Sequence, residues 1–236
     1  MANIIVTGAS SGIGFETVLE LVKNPKHTVV ALARSQEKLA KLLEISNSLN
    51  QDGGKLWVAQ FDIVYGEYTS SLIPYLKEKL GSIDILINNA GELVNKPFLE
   101  TTLEDFSTVF QTNFLAPVQL IKHLFPLLTP GSHILNIGSM GGYQGSVKFP
   151  GLSAYSASKS ALANLTESLA EEFKEQNIKV NCLALGSSQT EMFEKAFPNL
   201  EAGTLAFEMG QYVADFAING SKYYNGKILP VASTTP

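Results

Sequence analysis

The hydrophobic positions of this 236-residue chain alternate between two patterns. Short runs rich in β-branched residues are typical of buried strands, and longer segments between them repeat apolar residues at helical spacing. The strands are predicted at residues 3–7, 28–33, 55–60, 83–88, 132–138, 178–185 and 227–231. The helices are predicted at residues 13–23, 36–49, 68–80, 103–128, 154–175 and 206–218. Pro117 and Pro126 are expected to bend or end the fourth helix, because proline lacks the N–H that a helix interior needs.

The regular alternation of strands and helices predicts βαβ units, in which helices cover both faces of a parallel sheet. We therefore expect an α/β fold with a doubly wound, seven-stranded parallel sheet in a three-layer α/β/α arrangement. No repeat, low-complexity tract or linker interrupts the series, so a single domain over residues 1–236 is predicted. The glycine-rich segment 140–151 is expected to form a loop over the carboxyl edge of the sheet, where such folds bind ligands.

Composition narrows the classes of partner. The net charge of −5 gives no electrostatic reason to bind nucleic acid. One cysteine, Cys182, and three histidines show no metal-ligand spacing, so no metal site is expected. The N-terminus lacks a signal-peptide pattern, and no apolar run approaches the roughly 18 residues of a membrane span. We expect a cytoplasmic protein with no membrane partner.

A glycine-rich segment follows the first predicted strand directly and reads Thr7-Gly8-Ala9-Ser10-Ser11-Gly12-Ile13-Gly14. Glycines at a strand-to-helix junction let a diphosphate approach the backbone, and the helix N-terminus supplies free N–H groups. A plain glycine turn is the structural alternative, but the position at the first junction favours a phosphate-binding loop. The candidate cofactor contacts in this loop are Gly8, Ser10, Ser11, Gly12, Ile13 and Gly14.

The pattern T-G-x-x-x-G-x-G at the start of the chain resembles the short-chain dehydrogenase/reductase family. The resemblance continues with Asn88-Asn89-Ala90-Gly91 after the fourth strand, and it extends to about Thr190 through Asn113, Ser139, Tyr155 and Lys159. It implies a Rossmann-type fold, a nicotinamide cofactor, and hydride transfer between a carbonyl compound and an alcohol. It also implies cofactor contacts from Asn89, Ala90, Gly91, Tyr155 and Lys159.

The end of the second strand bears on the choice of cofactor. Relatives that prefer NAD(H) usually carry an acidic residue there, whereas this chain has Ala33 followed by Arg34, its only arginine. A guanidinium can give a 2′-phosphate two charge-assisted hydrogen bonds, so NADP(H) is expected over NAD(H). A solvated arginine is the alternative, and Ser11 stands where NADPH-dependent relatives often have a second basic residue. Asp62 and Ile63 match the adenine-binding pair of the family, although an acidic residue after a strand is also an ordinary turn residue.

Tyr155 and Lys159 are four residues apart in a helical segment and therefore share one helix face. A phenol needs a lowered pKa to exchange protons near neutral pH. A lysine charge at about 5 Å is worth roughly two pKa units at an effective dielectric of about 20. Tyr75 and Tyr223 also have a lysine four residues on, but Tyr75 lies on a charged surface helix and Tyr223 precedes an Asn-Gly turn. Tyr155 is the predicted acid/base catalyst.

Ser139 ends a predicted strand just before the glycine-rich loop. Its hydroxyl can donate to a substrate carbonyl and stabilise the developing oxyanion, although a strand-end serine also satisfies loop backbone. Sixteen positions separate Ser139 from Tyr155, a few more than is usual in the family. By resemblance, Asn113 interrupts its helix to hold a water that links Lys159 to solvent. Capping of a helix kink is the structural role open to the same asparagine.

The resemblance weakens after the sixth strand. The family's proline is missing from the segment 185–190, but Ser188 and Thr190 are kept as candidate cofactor contacts. The segment 191–210, which covers the substrate in the family, is short here. Several of its apolar residues fit either a pocket or ordinary core, namely Met192, Phe193, Phe197, Leu205 and Met209.

These motifs predict an NAD(P)H-dependent oxidoreductase acting on a small-molecule ketone, aldehyde or alcohol. Tyr155 gives the proton, Ser139 holds the oxygen, and Lys159 binds the ribose while lowering the tyrosine pKa. By resemblance, a homodimer or homotetramer is expected through the long helices that begin at Leu103 and Ala154.

Two alternatives belong to different functional classes. A hydrolase using Ser139 as nucleophile lacks the G-x-S-x-G elbow, and no histidine follows His133. A non-enzymatic NADPH-binding sensor would keep the same fold, and the retained Ser139, Tyr155 and Lys159 argue against it.

Overall fold

The sheet of the protein has seven strands, and the computed structural model describes it within residues 1–50 and 52–232. The strands are β1 (Ala2–Thr7), β2 (His27–Ala33), β3 (Lys55–Gln60), β4 (Ile83–Asn88), β5 (Leu128–Ser139), β6 (Lys179–Leu185) and β7 (Ile228–Val231). Their order is β3-β2-β1-β4-β5-β6-β7, and all neighbouring strands run parallel. The order reverses between β1 and β4, which is the position where doubly wound sheets open a ligand crevice. The predicted fold class is confirmed.

Within the described residues, eight α-helices lie between these strands. They are α1 (Gly12–Leu21), α2 (Gln36–Leu49), α3 (Ile73–Lys79), α4 (Leu103–Phe110), α5 (Ala116–Leu124), α6 (Ser153–Glu172), α7 (Glu191–Ala196) and α8 (Ala206–Asn219). None of the helices in the described part of the chain combines the length and apolar character needed to cross a membrane.

Two apolar layers hold the helices to the sheet. Side chains alternate between the faces of a strand, so Ile4 and Val6 of β1 enter one layer while Ile5 enters the other. The first layer also receives α1, α2 and α8, and the second receives α3, α5 and part of α6. Fully buried strand residues on both faces explain why the strands read as continuous apolar runs.

The prediction of one long helix over residues 103–128 is wrong. A π-helical turn (Gln111–Leu115) separates α4 from α5, and a 3₁₀ turn (Phe125–Leu127) ends α5 just before β5 begins at Leu128. Pro117 lies in the first turn of α5, where its missing N–H has no intrahelical acceptor to lose. The helix predicted at 68–80 likewise begins as a π-helical turn (Tyr68–Leu72) before α3.

The short helix α7 was not predicted at all. Its N-cap is Thr190, whose Oγ1 accepts a hydrogen bond from the N–H of Phe193 at 3.2 Å. Its C-terminal end is fastened by Asn95, whose Nδ2 donates to the Ala196 carbonyl at 2.8 Å. Six residues are too few for a visible helical period, so only the Thr190 cap could have signalled it.

Candidate active site

A cavity of about 790 Å³ opens at the carboxyl edge of the sheet, in the size range typical of small-molecule sites. The carboxyl ends of six strands, β1 to β6, or the residues directly after them contribute to it, so it collects residues that are distant in sequence. The predicted site residues that line it are Gly8, Ser10, Ser11, Gly12, Ile13, Arg34, Asp62, Ile63, Asn89, Ala90, Gly91, Ser139, Tyr155, Lys159, Ser188 and Thr190. Of the predicted set, only Gly14 and Asn113 lie outside the lining.

The glycine loop has the backbone geometry that only glycine adopts easily. Gly8 and Gly12 have positive φ angles of +66° and +56°. A Cβ on Gly8 would also lie 2.7 Å from the Cα of Ala90, so the loop touches the segment after β4. The N-cap side chain of α1, Ser11, makes no capping hydrogen bond, which leaves the first N–H groups of α1 for a phosphate.

Gly14 lies outside the cavity lining and has a packing role, and its predicted contact with the cofactor stays a prediction. A Cβ there would lie 2.2 Å from Nδ2 of Asn89 and 2.5 Å from the carbonyl oxygen of Gly8. The Asn89 amide uses that space to donate to the carbonyls of Thr7 at 2.9 Å and Gly8 at 3.2 Å. Thus Gly14 lets Asn89 fix the path of the phosphate loop.

Thr7 is a positioning residue that sequence reasoning missed as part of the site. Its Oγ1 donates to the carbonyl of Ile87 at 3.3 Å and accepts from the N–H groups of Asn89 at 3.0 Å and Ala90 at 3.1 Å. The hydroxyl is buried and joins the end of β1 to the end of β4. Its place at the head of the glycine motif was the available signal.

Four charged groups surround the end of β2. The guanidinium of Arg34 is largely exposed and lies 3.9 Å from a Glu92 carboxylate oxygen, a distance at which an exposed pair contributes little. Lys38, in the first turn of α2, also lines the cavity and donates to Glu191 at 2.6 Å. Lys38 was not predicted as a site residue, although its position four residues after Arg34 could have indicated it.

Asp62 and Ile63 line the cavity beside the end of β3. One oxygen of Asp62 accepts from the N–H groups of Val64 at 2.8 Å and Tyr65 at 3.3 Å, which is an ordinary turn interaction. Ile63 is nearly buried in the second apolar layer. The turn role and a contact with an adenine ring are therefore compatible.

Ser139, Tyr155 and Lys159 meet at the centre of the cavity. The ammonium of Lys159 lies 5.9 Å from the centroid of the Tyr155 ring and donates to the carbonyl of Ile137 at 2.7 Å. The Ser139 oxygen accepts from the N–H of Gly141 at 3.1 Å, which leaves its own proton to donate. The loop between β5 and α6 accommodates the sixteen-position separation of Ser139 and Tyr155 in the sequence. The two side chains therefore still interact through a hydrogen bond.

The pKa shifts at this centre follow burial. Burial raises the pKa of the Tyr155 phenol, and hydrogen bonding with Ser139 opposes that rise. Burial also lowers the pKa of Lys159 to about 8, opposed by the neighbouring Cys182 thiol of β6. Burial and the Ser139 hydroxyl are the causes of the shift, and the lowering that was expected from the Lys159 charge is not among them.

Asn113 lies in the π-helical turn between α4 and α5 and is fully buried. Its Nδ2 donates to the carbonyl of Glu92 and to Oγ of Ser158, each at 2.9 Å, and its Oδ1 accepts from the N–H of Glu92 at 2.7 Å. The interruption of the helix thus turns the amide toward α6 and the segment after Gly91. Its part in a water-mediated proton path stays a prediction.

The segment after β6 completes the cavity wall. Oγ of Ser188 is buried and has no hydrogen-bond partner among the described residues. The methyl group of Thr190 faces the phosphate loop, since a Cβ on Gly12 would lie 3.1 Å from it. An unpaired hydroxyl in the wall fits the carboxamide of a nicotinamide, because buried donors are ordinarily satisfied.

The apolar candidates near α7 divide into two groups. Met192, Phe193 and Phe197 line the cavity, and the two phenyl rings lie 5.2 Å apart. Met209 is buried in the first apolar layer, and Leu205 is half exposed outside the lining.

The competing tyrosine-lysine pairs are elsewhere. Tyr75 donates from its hydroxyl to the carbonyl of Val58 at 3.2 Å, and Lys79 lies 4.4 Å from the Trp57 ring centroid. Tyr223 is exposed over 82% of its surface. Neither tyrosine lines the cavity, which supports the choice of Tyr155 by context.

The chain is similar to known proteins in sequence and in fold. A family model described as short chain dehydrogenase matches residues 2–201. The chain is 35% identical over 192 residues to a ketoacyl reductase from a Nostoc strain, which covers 80% of this chain and 64% of that protein. It is 34% identical over 200 residues to an NADPH-dependent pterin aldehyde reductase from Arabidopsis thaliana, which covers 83% and 78%. An NADPH-bound short chain oxidoreductase from Pseudomonas aeruginosa aligns with a TM-score of 0.86 at 25% identity, over 98% of this chain and 95% of that one.

Proposed function

The chain is an enzyme of the short-chain dehydrogenase/reductase family, and from this premise we propose that it reduces a carbonyl compound with NADPH, using Tyr155 as proton donor. The observation that carries the proposal is the meeting of Ser139, Tyr155 and Lys159 in one cavity with the phosphate loop. A sensor would need the cofactor contacts but would have no use for the three polar groups at the centre.

The cofactor fits the polar part of the cavity. The N-terminus of α1 would hold the diphosphate, the unpaired Ser188 hydroxyl would meet the carboxamide, and Lys159 would meet the nicotinamide ribose. When bound, the reduced nicotinamide supplies the hydride, as the cofactor does in this class of chemistry.

In the proposed reaction, the side chains of the protein bind the carbonyl oxygen of the substrate and supply one proton to it. The Ser139 hydroxyl is free to donate to a carbonyl oxygen, where it would hold the substrate and stabilise developing negative charge. Because burial raises the Tyr155 pKa, the phenol keeps its proton at neutral pH and can transfer it to the stronger base that forms.

Two cations favour NADPH over NADH. Arg34 and Lys38 flank the N-cap of α2, Ser35, whose Oγ accepts from the Lys38 N–H at 3.3 Å. A 2′-phosphate beside them would receive a bidentate contact from Arg34 and a point charge from Lys38. Lys38 thus replaces the basic residue that the glycine loop lacks at Ser11.

The decisive experiment follows NADPH consumption by absorbance with a panel of ketones, aldehydes and quinones. Tyr155→Phe removes only the phenolic hydroxyl group, so we expect at least a ~1,000-fold loss of turnover with nearly unchanged NADPH binding. Tyr223→Phe, which changes an exposed tyrosine that also precedes a lysine by four positions, is the matched control. Full activity of Tyr155→Phe would end the proposal, and tight NADPH binding without any turnover would favour the sensor.

The expected homodimer or homotetramer and the cytoplasmic location stay predictions. Size-exclusion chromatography with light scattering would measure the first.

A further inference from the structure

The wall of the cavity beyond the catalytic centre is almost entirely apolar. The loop before α6 contributes Met140, Phe149 and Leu152, and α7 with its flanks contributes Met192, Phe193 and Phe197. The two phenyl rings of α7 are tilted by 41° and lie 5.2 Å apart, so they form one aromatic face. Such a surface gains free energy by covering an apolar group and offers few hydrogen bonds to a polar one.

The charges in the lining are arranged unevenly. Its cations are Arg34 and Lys38 beside α2, and Lys159 at the centre, which is buried and donates to a backbone carbonyl. The segments that carry the apolar wall add only acidic groups to the lining, Glu191 and Glu201. An anionic substrate would therefore face two carboxylates at this end, and Lys38, which reaches Glu191 from α2, is already paired with it at 2.6 Å.

Three lysines lie on or beside the segments that form this wall, but outside the cavity lining. Lys195 is exposed on α7, Lys148 donates to the carbonyl of Tyr143 at 2.5 Å, and Lys96 forms an ion pair with Asp105 at 2.8 Å. A carboxylate held against the apolar wall would gain no ion pair from the residues that form the wall, so its desolvation there would not be compensated.

We propose that the substrate is an uncharged carbonyl compound whose carbonyl group is attached to an aromatic or alicyclic ring, and that the site selects against carboxylates. This inference rests on the proposed reductase function and adds the substrate class. The ring lies against Phe193 and Phe197, and the carbonyl oxygen points toward Ser139 and Tyr155.

The test compares three aldehydes at saturating NADPH. 4-Isopropylbenzaldehyde and 4-carboxybenzaldehyde differ in one ring substituent of similar size, and propanal has no ring. We expect kcat/KM for the isopropyl compound to exceed that for the carboxylate by about 100-fold, because the buried carboxylate has no partner. Equal values for the two aromatic aldehydes would overturn the inference and leave the reductase proposal intact.

Amino-acid substitutions test which residues of the apolar wall determine the substrate selectivity. Phe193→Ala and Phe197→Ala should each lower kcat/KM for 4-isopropylbenzaldehyde by about 10-fold or more, and by a larger factor than for propanal. Leu200→Arg places a cation at the cavity wall and should reduce the preference against the carboxylate. Leu49→Arg adds the same charge on an exposed position of α2 outside the lining and should leave the preference unchanged.

Calorimetry separates failure of the inference from failure of the proposed function. The enzyme with saturating NADP⁺ is titrated with 4-isopropylbenzyl alcohol and with 4-carboxybenzyl alcohol. Tighter binding of the isopropyl alcohol supports the inference even if no aldehyde is turned over, in which case the reductase proposal alone fails. Equal binding of both alcohols contradicts the inference whatever the turnover.

Discussion

The two ends of the cavity are built by different means. At the cofactor end, the chain path is fixed by buried hydrogen bonds of Thr7 and Asn89 and by glycines that admit no side chain. At the substrate end, apolar side chains of α7 form the wall, and the helix is fastened by the Lys38–Glu191 ion pair and the Asn95–Ala196 hydrogen bond. The cofactor end should therefore tolerate little change, whereas the substrate end should respond in specificity while the fold persists.

The largest effect is expected at Gly14. Gly14→Ala places a Cβ within 2.2 Å of the Asn89 amide and 2.5 Å of the Gly8 carbonyl oxygen, so the phosphate loop must move. We expect NADPH affinity to fall by about 100-fold and the free energy of unfolding to fall by about 2 kcal/mol or more. Binding titration and chemical denaturation measure the two quantities.

Gly203→Ala is the control at the substrate end, because a Cβ there meets nothing within 4 Å. If Gly14→Ala bound NADPH as tightly as Gly203→Ala, the chain path at the cofactor end would not depend on the absence of a side chain at Gly14.

An intermediate effect on NADPH affinity is expected where the two ends of the cavity meet, at the ion pair of Lys38 with Glu191. Arg34→Ala should weaken NADPH binding by about 10-fold to 100-fold, and Lys38→Ala by a few-fold to about 10-fold, with little change for NADH. Glu191→Gln should tighten NADPH binding by about 3-fold, since it frees Lys38 from a competing carboxylate. Fluorescence titration of NADPH and NADH measures all three.

Lys41→Ala removes an exposed charge from the same helix outside the lining and is the matched control. Equal losses for NADPH and NADH in Arg34→Ala would contradict its assignment to the 2′-phosphate. Unchanged NADPH affinity in Lys38→Ala would remove Lys38 from the site.

The smallest effect is expected at Asn95. Asn95→Ala removes one exposed hydrogen bond to the end of α7, worth about 1 kcal/mol. We expect KM for the carbonyl substrate to rise by about 3-fold to 5-fold while the dissociation constant of NADPH stays unchanged. Asn164→Ala, on the exposed side of α6, is the comparison variant. A parallel loss of NADPH affinity in Asn95→Ala would show that the two ends are not independent.

The cofactor end was largely predictable from the sequence because its requirements are local. A strand followed by Gly8, Gly12 and Gly14 encodes backbone angles and close approaches, and these leave a readable spacing. The strands were also predictable, since burial on both faces produces continuous apolar runs. The packing role of Gly14 was not predicted, because a spacing does not distinguish contact with a ligand from contact with Asn89.

The substrate end of the cavity, the role of Lys38 and the pKa of Tyr155 could not be predicted, because they depend on three-dimensional context. Phe193 faces the cavity because of how the six-residue helix α7 is fastened, whereas Met209 lies on α8 and faces the core, and the apolar pattern does not distinguish the two positions. Lys38 became a candidate only when its contact with Glu191 was seen across the cavity. The direction of the Tyr155 pKa shift was missed because desolvation depends on all surrounding atoms, whereas sequence spacing indicates only the nearest charge.

The burial of Cys182 makes the motion of α7 accessible to labelling. This is the only cysteine of the chain, and burial raises the pKa of its thiol to about 12, so at neutral pH it offers almost no nucleophilic thiolate. A maleimide dye would therefore react selectively with a cysteine introduced by Lys195→Cys, on the exposed side of α7. The fluorescence of that dye could follow opening and closing of the substrate end in real time, without any other cysteine being replaced.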